Sequence, residues 1–457
     1  MTSLAMAQTE TLPQEGVLDL TSLHEYANQE RPAYIGKDNT PGDNRISNIG
    51  ATLGRVLFYD PRLSVDGTVS CASCHQQEHG FGDPDDASTG VAGTTGRHSM
   101  RLSNPRFARE RRFFWDERAE SLEDQVTRPI QDHVEMGFSG TEGDPDFAAL
   151  VERLEAIELY QVLFTGMYGD AEITEDRVQR ALAQFVRSIQ SFDSKYDEGL
   201  MVANNPNAPF PNFTPQENDG KRIFMSPPNA PGGGAGCNAC HQAPEFDIDP
   251  NSGHNGVIGS LTGGQDLTVT RSPSLRDVVD AEGNPHGAFM HDASLGTLLD
   301  VVNHYAAIPA VTPGLDRRLA GPPPGPGAPP TPQGRRLNLS EAQKQSLVAF
   351  METLTGTSVY TDEKWSSPFG VDGGLSVVVL TADAASVDVE MDGDTPTVTI
   401  STPGVPRTRY LLKTSDDLEN WSEGIPVIAN NAGMVRRRME ATQRARYFRY
   451  VYEVKTE

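Results

Sequence analysis

The chain has 457 residues, enough for roughly three domains with cores that need no disulfide framework. It carries 63 acidic against 38 basic side chains and a formal net charge of −25 at pH 7, which argues against DNA or an anionic membrane surface as partner. No apolar run approaches the ~18 residues of a membrane span, and only four residues are cysteine.

At the start of the chain, Ser3 to Gln8 holds the small-x-small pattern Ala5-Met6-Ala7. It looks like the tail of a secretory signal without its charged and apolar regions, or simply a frayed terminus. Residues 1–43 are therefore set apart as a signal remnant and N-terminal extension. From about Asn44 to Gly356 the texture is helical, with two domains expected at 44–205 and 206–362. Val178, Ala181, Leu182, Phe185, Val186 and Ile189 recur with the period of one helix face, just after Thr174 as N-cap. After Thr297, Leu298, Val301, Val302 and Tyr305 share a face. A further helix opens with Ser340 and Gln343 as a capping box and runs through Leu347, Phe350, Met351 and Leu354. Gly- and Pro-rich loops separate these helices, notably Pro227 to Gly236 and Pro309 to Gly334.

Beyond Gly370 the pattern turns to β-branched runs at Leu375 to Leu380, Ser386 to Met391 and Thr395 to Ile400, then Arg409 to Leu412 and Tyr447 to Val454. Residues 371–457 are expected to form a sandwich-like all-β accessory module. The module has no cysteine or histidine, so its expected role is stability or adhesion. The fold class expected for the whole chain is mainly α, two helical domains followed by this β module.

What the helical domains hold is read from the cysteines. Cys71-Ala72-Ser73-Cys74-His75 and Cys237-Asn238-Ala239-Cys240-His241 are both C-x-x-C-H, and they use all four. Two thiols at this spacing can each form a thioether to a porphyrin vinyl, while the adjacent imidazole reaches the iron. A shared zinc would need the pairs much closer together, about 12 to 20 residues apart. A thioredoxin-like pair would want a βαβ setting, whereas the pattern around both pairs reads as helical. Two covalently bound haem c groups are expected, with His75 and His241 as proximal iron ligands, so the two helical domains are expected to be cytochrome c-like haem domains. Such attachment takes place outside the bacterial cytoplasm, so a periplasmic or secreted protein is expected.

With these motifs in view, the stretch from about Asn44 to Gly356 resembles the bacterial di-haem cytochrome c peroxidases and their MauG-like relatives. The resemblance is carried by Leu53-Gly54-Arg55-Val56-Leu57-Phe58-Tyr59-Asp60-Pro61-Arg62-Leu63-Ser64, by Phe114-Trp115-Asp116-Glu117-Arg118-Ala119, and by Pro273-Ser274-Leu275-Arg276-Asp277 with Met290-His291-Asp292. It implies that peroxide reacts at the N-terminal haem and that the C-terminal haem supplies or stores an oxidising equivalent. It also implies that Trp115 relays electrons and that Gln125 and Glu135 are the distal pair. Splitting the O–O bond needs a group that takes a proton from one oxygen and delivers it to the other, which suits Glu135, with Gln125 orienting.

Three positions depart from the standard peroxidases. Ser88 to Gly96 holds no histidine where many of them carry a removable distal one, which implies an open first haem; His79 is an alternative distal ligand. Tyr305 stands where they place a methionine and MauG-like proteins a tyrosine, making it a candidate axial ligand of the second haem, with Met290 and His304 as alternatives. A phenolate ligand would lower that haem's potential. Calcium between the haems, usual in the family, would fall to His98, His286 and Ala288, and an imidazole is a poor hard-cation ligand. The expected activity is reduction of hydrogen peroxide to water, with a small cytochrome c or copper protein as electron donor. The alternatives are MauG-like oxidation of a residue on a partner protein and a non-enzymatic electron-carrying cytochrome.

Overall fold

The computed structural model describes residues 16–109, 111–321, 333–380, 385–392, 395–440 and 447–452. Two compact units divide the chain. The larger takes 25–153 and 174–366; the smaller combines the N-terminal residues up to His24 with 154–173 and 367–457.

Both C-x-x-C-H motifs lie in the larger unit. Its elements include α1 (Asn48–Tyr59), α2 (Cys71–Cys74), α3 (Leu122–Val126), α4 (Phe147–Glu155, whose last residues pass into the smaller unit), α6 (Glu175–Ser188), α7 (Lys195–Ala203), α8 (Pro215–Met225), α9 (Leu298–Ala306) and α10 (Glu341–Glu352). Two small ladders complete it, β2 (Thr89–Gly90) with β3 (Gly93–Thr94) and β4 (His241–Gln242) with β5 (Asp247–Ile248). The expected caps are in place: the Thr174 side chain accepts from Arg177 N, and Ser340 forms a capping box with Gln343; Thr297 forms another with Asp300, which was not expected.

The two helix pairs that lead into the motifs are built alike. α1 crosses α6 where a Cβ on Gly54 would stand 2.1 Å from the Ala181 carbonyl oxygen, and α8 crosses α10 where a Cβ on Gly220 would stand 1.8 Å from that of Ser346. Only glycine lets the backbones approach this closely. Gly54 and Gly220 each stand 17 residues before the first cysteine of a motif, so the same crossing delivers each motif to its place. A bidentate pair of Arg276 with Asp197, at 2.8 Å for both bonds and sealed from solvent, ties the Pro273–Asp277 segment to the start of α7. Tyr34 donates to the same carboxylate at 2.7 Å.

Among the described residues the smaller unit holds α5 (Glu158–Tyr168) and eight strands. β1 (Gly16–Asp19) pairs in parallel with β6 (Leu375–Val378). β7 (Ser386–Asp392), β8 (Thr395–Pro403) and β11 (Met434–Glu440) form one antiparallel sheet in the order β11-β8-β7. β9 (Arg409–Ser415), β10 (Ile425–Ile428) and β12 (Tyr447–Tyr452) form another, ordered β10-β9-β12. Val398, Ile400, Tyr410, Leu412, Val427 and Val435 share one apolar core.

The mainly α expectation holds only in part, since 28% of the chain is helical and 17% is strand. With 43 glycines and 33 prolines, much of the larger unit is turn and loop between short helices, because these residues end helices or cannot continue them. The Pro-rich run at 322–332 lies outside the described residues, as do Tyr447 to Val454 beyond Tyr452.

Candidate functional site

Ser70 caps the single turn α2, which carries Cys71 and Cys74, and His75 follows as its C-cap. His75 Nδ1 donates to the Phe81 carbonyl at 3.2 Å, which leaves Nε2 as the free nitrogen. Burial holds the imidazole below its ordinary pKa, hence neutral, as ligation requires. Burial also pushes the Cys71 thiol up to about 12 and that of Cys74 to about 11. None of the four cysteines is in a disulfide. The motif opens on a cavity of about 530 Å³ whose walls include Cys71, Cys74, His75, Trp115, Gln125 and Glu135. The structure therefore brings together every residue expected at the first haem. A buried neutral imidazole and two thiols in one cavity fit covalent haem, with arginines Arg101 and Arg271 in the wall as counter-charges for its carboxylates.

Gln125 stands on α3, capped by Ser121, which accepts from Asp124 N. Glu135 is placed by a tight turn: Asp132 Oδ1 accepts from Val134 N at 2.8 Å and Glu135 N at 3.1 Å, and the Asp132 carbonyl accepts from Gly137 N at 2.8 Å. The β2–β3 hairpin lies against this turn, with Val91 N donating to the Glu135 carbonyl at 3.1 Å. Among the described residues the Glu135 carboxylate makes no hydrogen bond. Burial first, then the Asp132 charge, push it up to about 7, against a smaller opposing effect of Arg118. Asp132 was not singled out from sequence, although its three-residue spacing to Glu135 was there to be read.

The residues 88–96 form the hairpin, and Gly90, Thr95 and Gly96 from it reach the cavity. His79 is not among the lining residues; its ring lies 5.9 Å from that of His286. Trp115 donates from Nε1 to the His98 carbonyl at 2.7 Å, and its own carbonyl accepts from Thr270 N and Arg271 N at 2.9 and 3.0 Å. Its ring sits 6.2 Å from that of His291. Trp115 thus ties the first cavity's wall to His98, to the Thr270–Arg271 segment and to His291.

The second motif departs from the helical setting expected for it. Cys237–Ala239 is a 3-10 turn entered through Gly236 at φ +69°, and His241 begins strand β4. A narrower cavity is lined by Cys237, Cys240, His241, Asn255 and Tyr305, with Arg318 and Arg335. Burial holds His241 down to about 4, and its Nδ1 is sealed with no partner among the described residues. A neutral ring with an unsatisfied nitrogen again fits ligation. Tyr305 projects from α9, and Asn255 Nδ2 donates to its hydroxyl at 3.4 Å and approaches Met290 Sδ at 3.2 Å. Burial pushes this phenol up to about 12. His304 Nε2 is held at the Asn255 carbonyl, 2.9 Å away, and neither His304 nor Met290 lines the cavity. Asn255 carried no sequence signal, because its partners are 35 and 50 residues away.

At the positions considered for calcium, His98 Nδ1 donates to the carbonyls of Asp85 and Asp86 at 3.0 and 3.3 Å, and His286 Nε2 meets Tyr360 Oη at 3.1 Å. Both imidazoles are thus engaged in hydrogen bonds. Among the described residues no three His, Cys, Asp or Glu side chains converge as a cation site, and no helix is long and apolar enough to cross a membrane.

Residues 49–205 match the family model of the di-haem cytochrome c peroxidases. The chain is 32% identical over 330 residues to the methylamine utilization protein MauG of Methylorubrum extorquens, covering 69% of this chain and 80% of that protein. It is 27% identical over 326 residues to the cytochrome c551 peroxidase of Nitrosomonas europaea, covering 67% and 80% respectively. Among solved structures, a MauG-like protein associated with microbial copper homeostasis is similar with a TM-score of 0.58 and 26% identity, covering 75% of this chain and 99% of that one.

Proposed function

Because this chain belongs to the di-haem cytochrome c peroxidase and MauG family and is an oxidoreductase acting on peroxide, we propose that it reduces hydrogen peroxide to water at the Cys71–His75 site, with electrons relayed from the Cys237–His241 site. The observation that carries this reading is the single cavity shared by Cys71, Cys74, His75, Gln125 and Glu135. Haem attached to Cys71 and Cys74 and ligated by His75 would supply the iron that takes up peroxide and the electrons that reduce it.

The chain's own residues handle the protons. Ionised Glu135 takes the proton from the inner peroxide oxygen and delivers it to the outer one, which departs as water; two electrons and two further protons complete the second water. Its elevated pKa near 7 lets the same group serve as base and then acid near neutral pH. The Gln125 amide holds no such proton and orients the peroxide. Trp115, bonded to the His98 carbonyl and packed toward His291, is the relay between the two sites.

A second reading, MauG-like oxidation of a residue on a partner protein, is favoured by Tyr305, which lines the second cavity together with the attachment motif. As a phenolate ligand it would hold the second haem at low potential and resist reduction by a high-potential donor. We place the protein outside the cytoplasm, where such haems are attached. Mixing the holoenzyme with peroxide and a reduced cytochrome c or copper protein separates the two readings. Sustained donor oxidation supports the peroxidase; a haem spectrum that responds to peroxide without donor turnover supports oxidation of a protein partner. No response of the haem spectrum overturns both.

A further inference from the structure

Behind the first motif lies a buried polar cluster that the peroxide chemistry leaves unused. The Tyr360 ring packs on Gly80, where a Cβ would come within 3.5 Å of its Cε1. The next residue, Phe81, gives its carbonyl to His75 Nδ1. Tyr360 is thus one residue removed from the group that holds the proximal imidazole.

The phenol oxygen lies 3.1 Å from His286 Nε2, 3.2 Å from Asp277 Oδ1 and 3.5 Å from the Val279 carbonyl. The phenol O–H donates to Asp277 Oδ1, and His286 Nε2 is the other group placed within reach of its proton. Asp277 is sealed from solvent, and its Oδ2 has no partner among the described residues. Besides these groups, Asp280 and Arg101 act on Tyr360, and Arg101 also lines the first cavity. The His286 ring stands 5.1 Å from that of Tyr360 and 5.9 Å from that of His79.

A phenol that loses an electron becomes a very strong acid, so its oxidation is accessible only where an acceptor takes the proton in the same event. This cluster supplies such an acceptor beside a site that generates oxidising equivalents. We propose that Tyr360 is a one-electron donor to the first haem site. Once haem held at Cys71–His75 had been oxidised by peroxide, Tyr360 would give it one electron and pass its phenolic proton to the buried Asp277–His286 pair that faces the hydroxyl, leaving a neutral tyrosyl radical beside the protonated pair. An external one-electron reductant later restores the phenol as the proton returns. The inference rests on the peroxide reading above, and it gives the oxidising equivalent an exit on the proximal side, distinct from Trp115.

The test is rapid-freeze EPR of the holoenzyme mixed with one equivalent of peroxide and no electron donor, with and without ring-deuterated tyrosine. The expected result is a tyrosyl signal that narrows on deuteration, is lost in Tyr360→Phe, and shifts its hydrogen-bond-sensitive g value in His286→Gln. Tyr360→Phe should keep the parent's thermal midpoint and its initial peroxide-induced haem change. A signal that survives in Tyr360→Phe, or a haem that responds to peroxide in the parent with no tyrosyl signal, overturns the proposal. A parent haem that does not respond to peroxide overturns the peroxide reading itself, and Tyr360 with it.

Discussion

Replacing Glu135 with glutamine keeps the side chain's size and removes its proton equilibrium. Burial and the Asp132 charge lift that equilibrium from 4.5 to about 7, which at 1.36 kcal/mol per unit corresponds to roughly 3 kcal/mol; residual contact with solvent brings this to about 1–3 kcal/mol. The folded state binds the proton more tightly than the unfolded chain. Below pH 4.5 both states are protonated and nothing is lost. From 4.5 to 7 the unfolded chain ionises first and folding weakens, and above 7 the penalty is constant. Glu135→Gln should therefore melt with the parent at pH 4 and be the more stable protein at pH 8.

Catalysis should move the opposite way. The base must be ionised, so the second-order rate of the holoenzyme with peroxide should rise about tenfold per pH unit below 7 and level off above it. In Glu135→Gln it should fall by about 10²–10⁴ and lose the inflection. Stopped-flow absorbance of the haem from pH 5 to 9, beside thermal melts at the same pH values, reads both effects. A parent profile with no inflection near 7, or a variant reacting at the parent's rate, would refute the assignment of Glu135.

Tyr305→Phe should change the visible spectrum of the second haem and raise its reduction potential, read by spectroelectrochemistry; an unchanged spectrum removes Tyr305 from the iron. Trp115→Phe, which loses the 2.7 Å bond to the His98 carbonyl, should keep the initial peroxide reaction and slow electron exchange between the haems, followed at the two haem bands. In Gly90→Ala the new Cβ would stand 2.0 Å from the Val134 oxygen and 2.8 Å from Glu135 Cα, so a loss of about 1–3 kcal/mol and a slower peroxide reaction are expected together. Asp197→Ala strands the buried Arg276 guanidinium and should cost about 3–5 kcal/mol in urea denaturation.

What could be read from sequence depended on how local its cause was. Thioether attachment needs only five consecutive residues, so both motifs were legible, and the caps at Thr174 and Ser340 were legible because an N-cap bonds within its own turn. The helix face that carries Tyr305 followed from periodicity. By contrast, Gly16–Asp19 has no strand pattern of its own, and its partner β6 lies about 360 residues away in the chain. Asn255, in a loop, and Tyr360, at the end of a 3-10 turn, likewise meet their partners only across 35 to 83 residues of chain.

The two glycine crossings show where the chemistry of the two sites parts company. Gly54 and Gly220 bring helices together in the same way at the same distance before each motif, so the scaffolds that deliver the cysteines are alike. The differences lie in the walls supplied afterwards: the Asp132 turn and its hairpin bring to the first cavity a carboxylate with no hydrogen bond among the described residues, and α9 with Asn255 brings a phenol to the second. A carboxylate near neutral pKa can move a proton to and from a bound oxygen species, whereas a buried phenol can ligate iron or donate an electron but is too weak an acid to shuttle protons at pH 7. On one repeated frame, the identity of the group at each cavity is the ground for the proposed division, peroxide chemistry at the first site and storage or relay of electrons at the second.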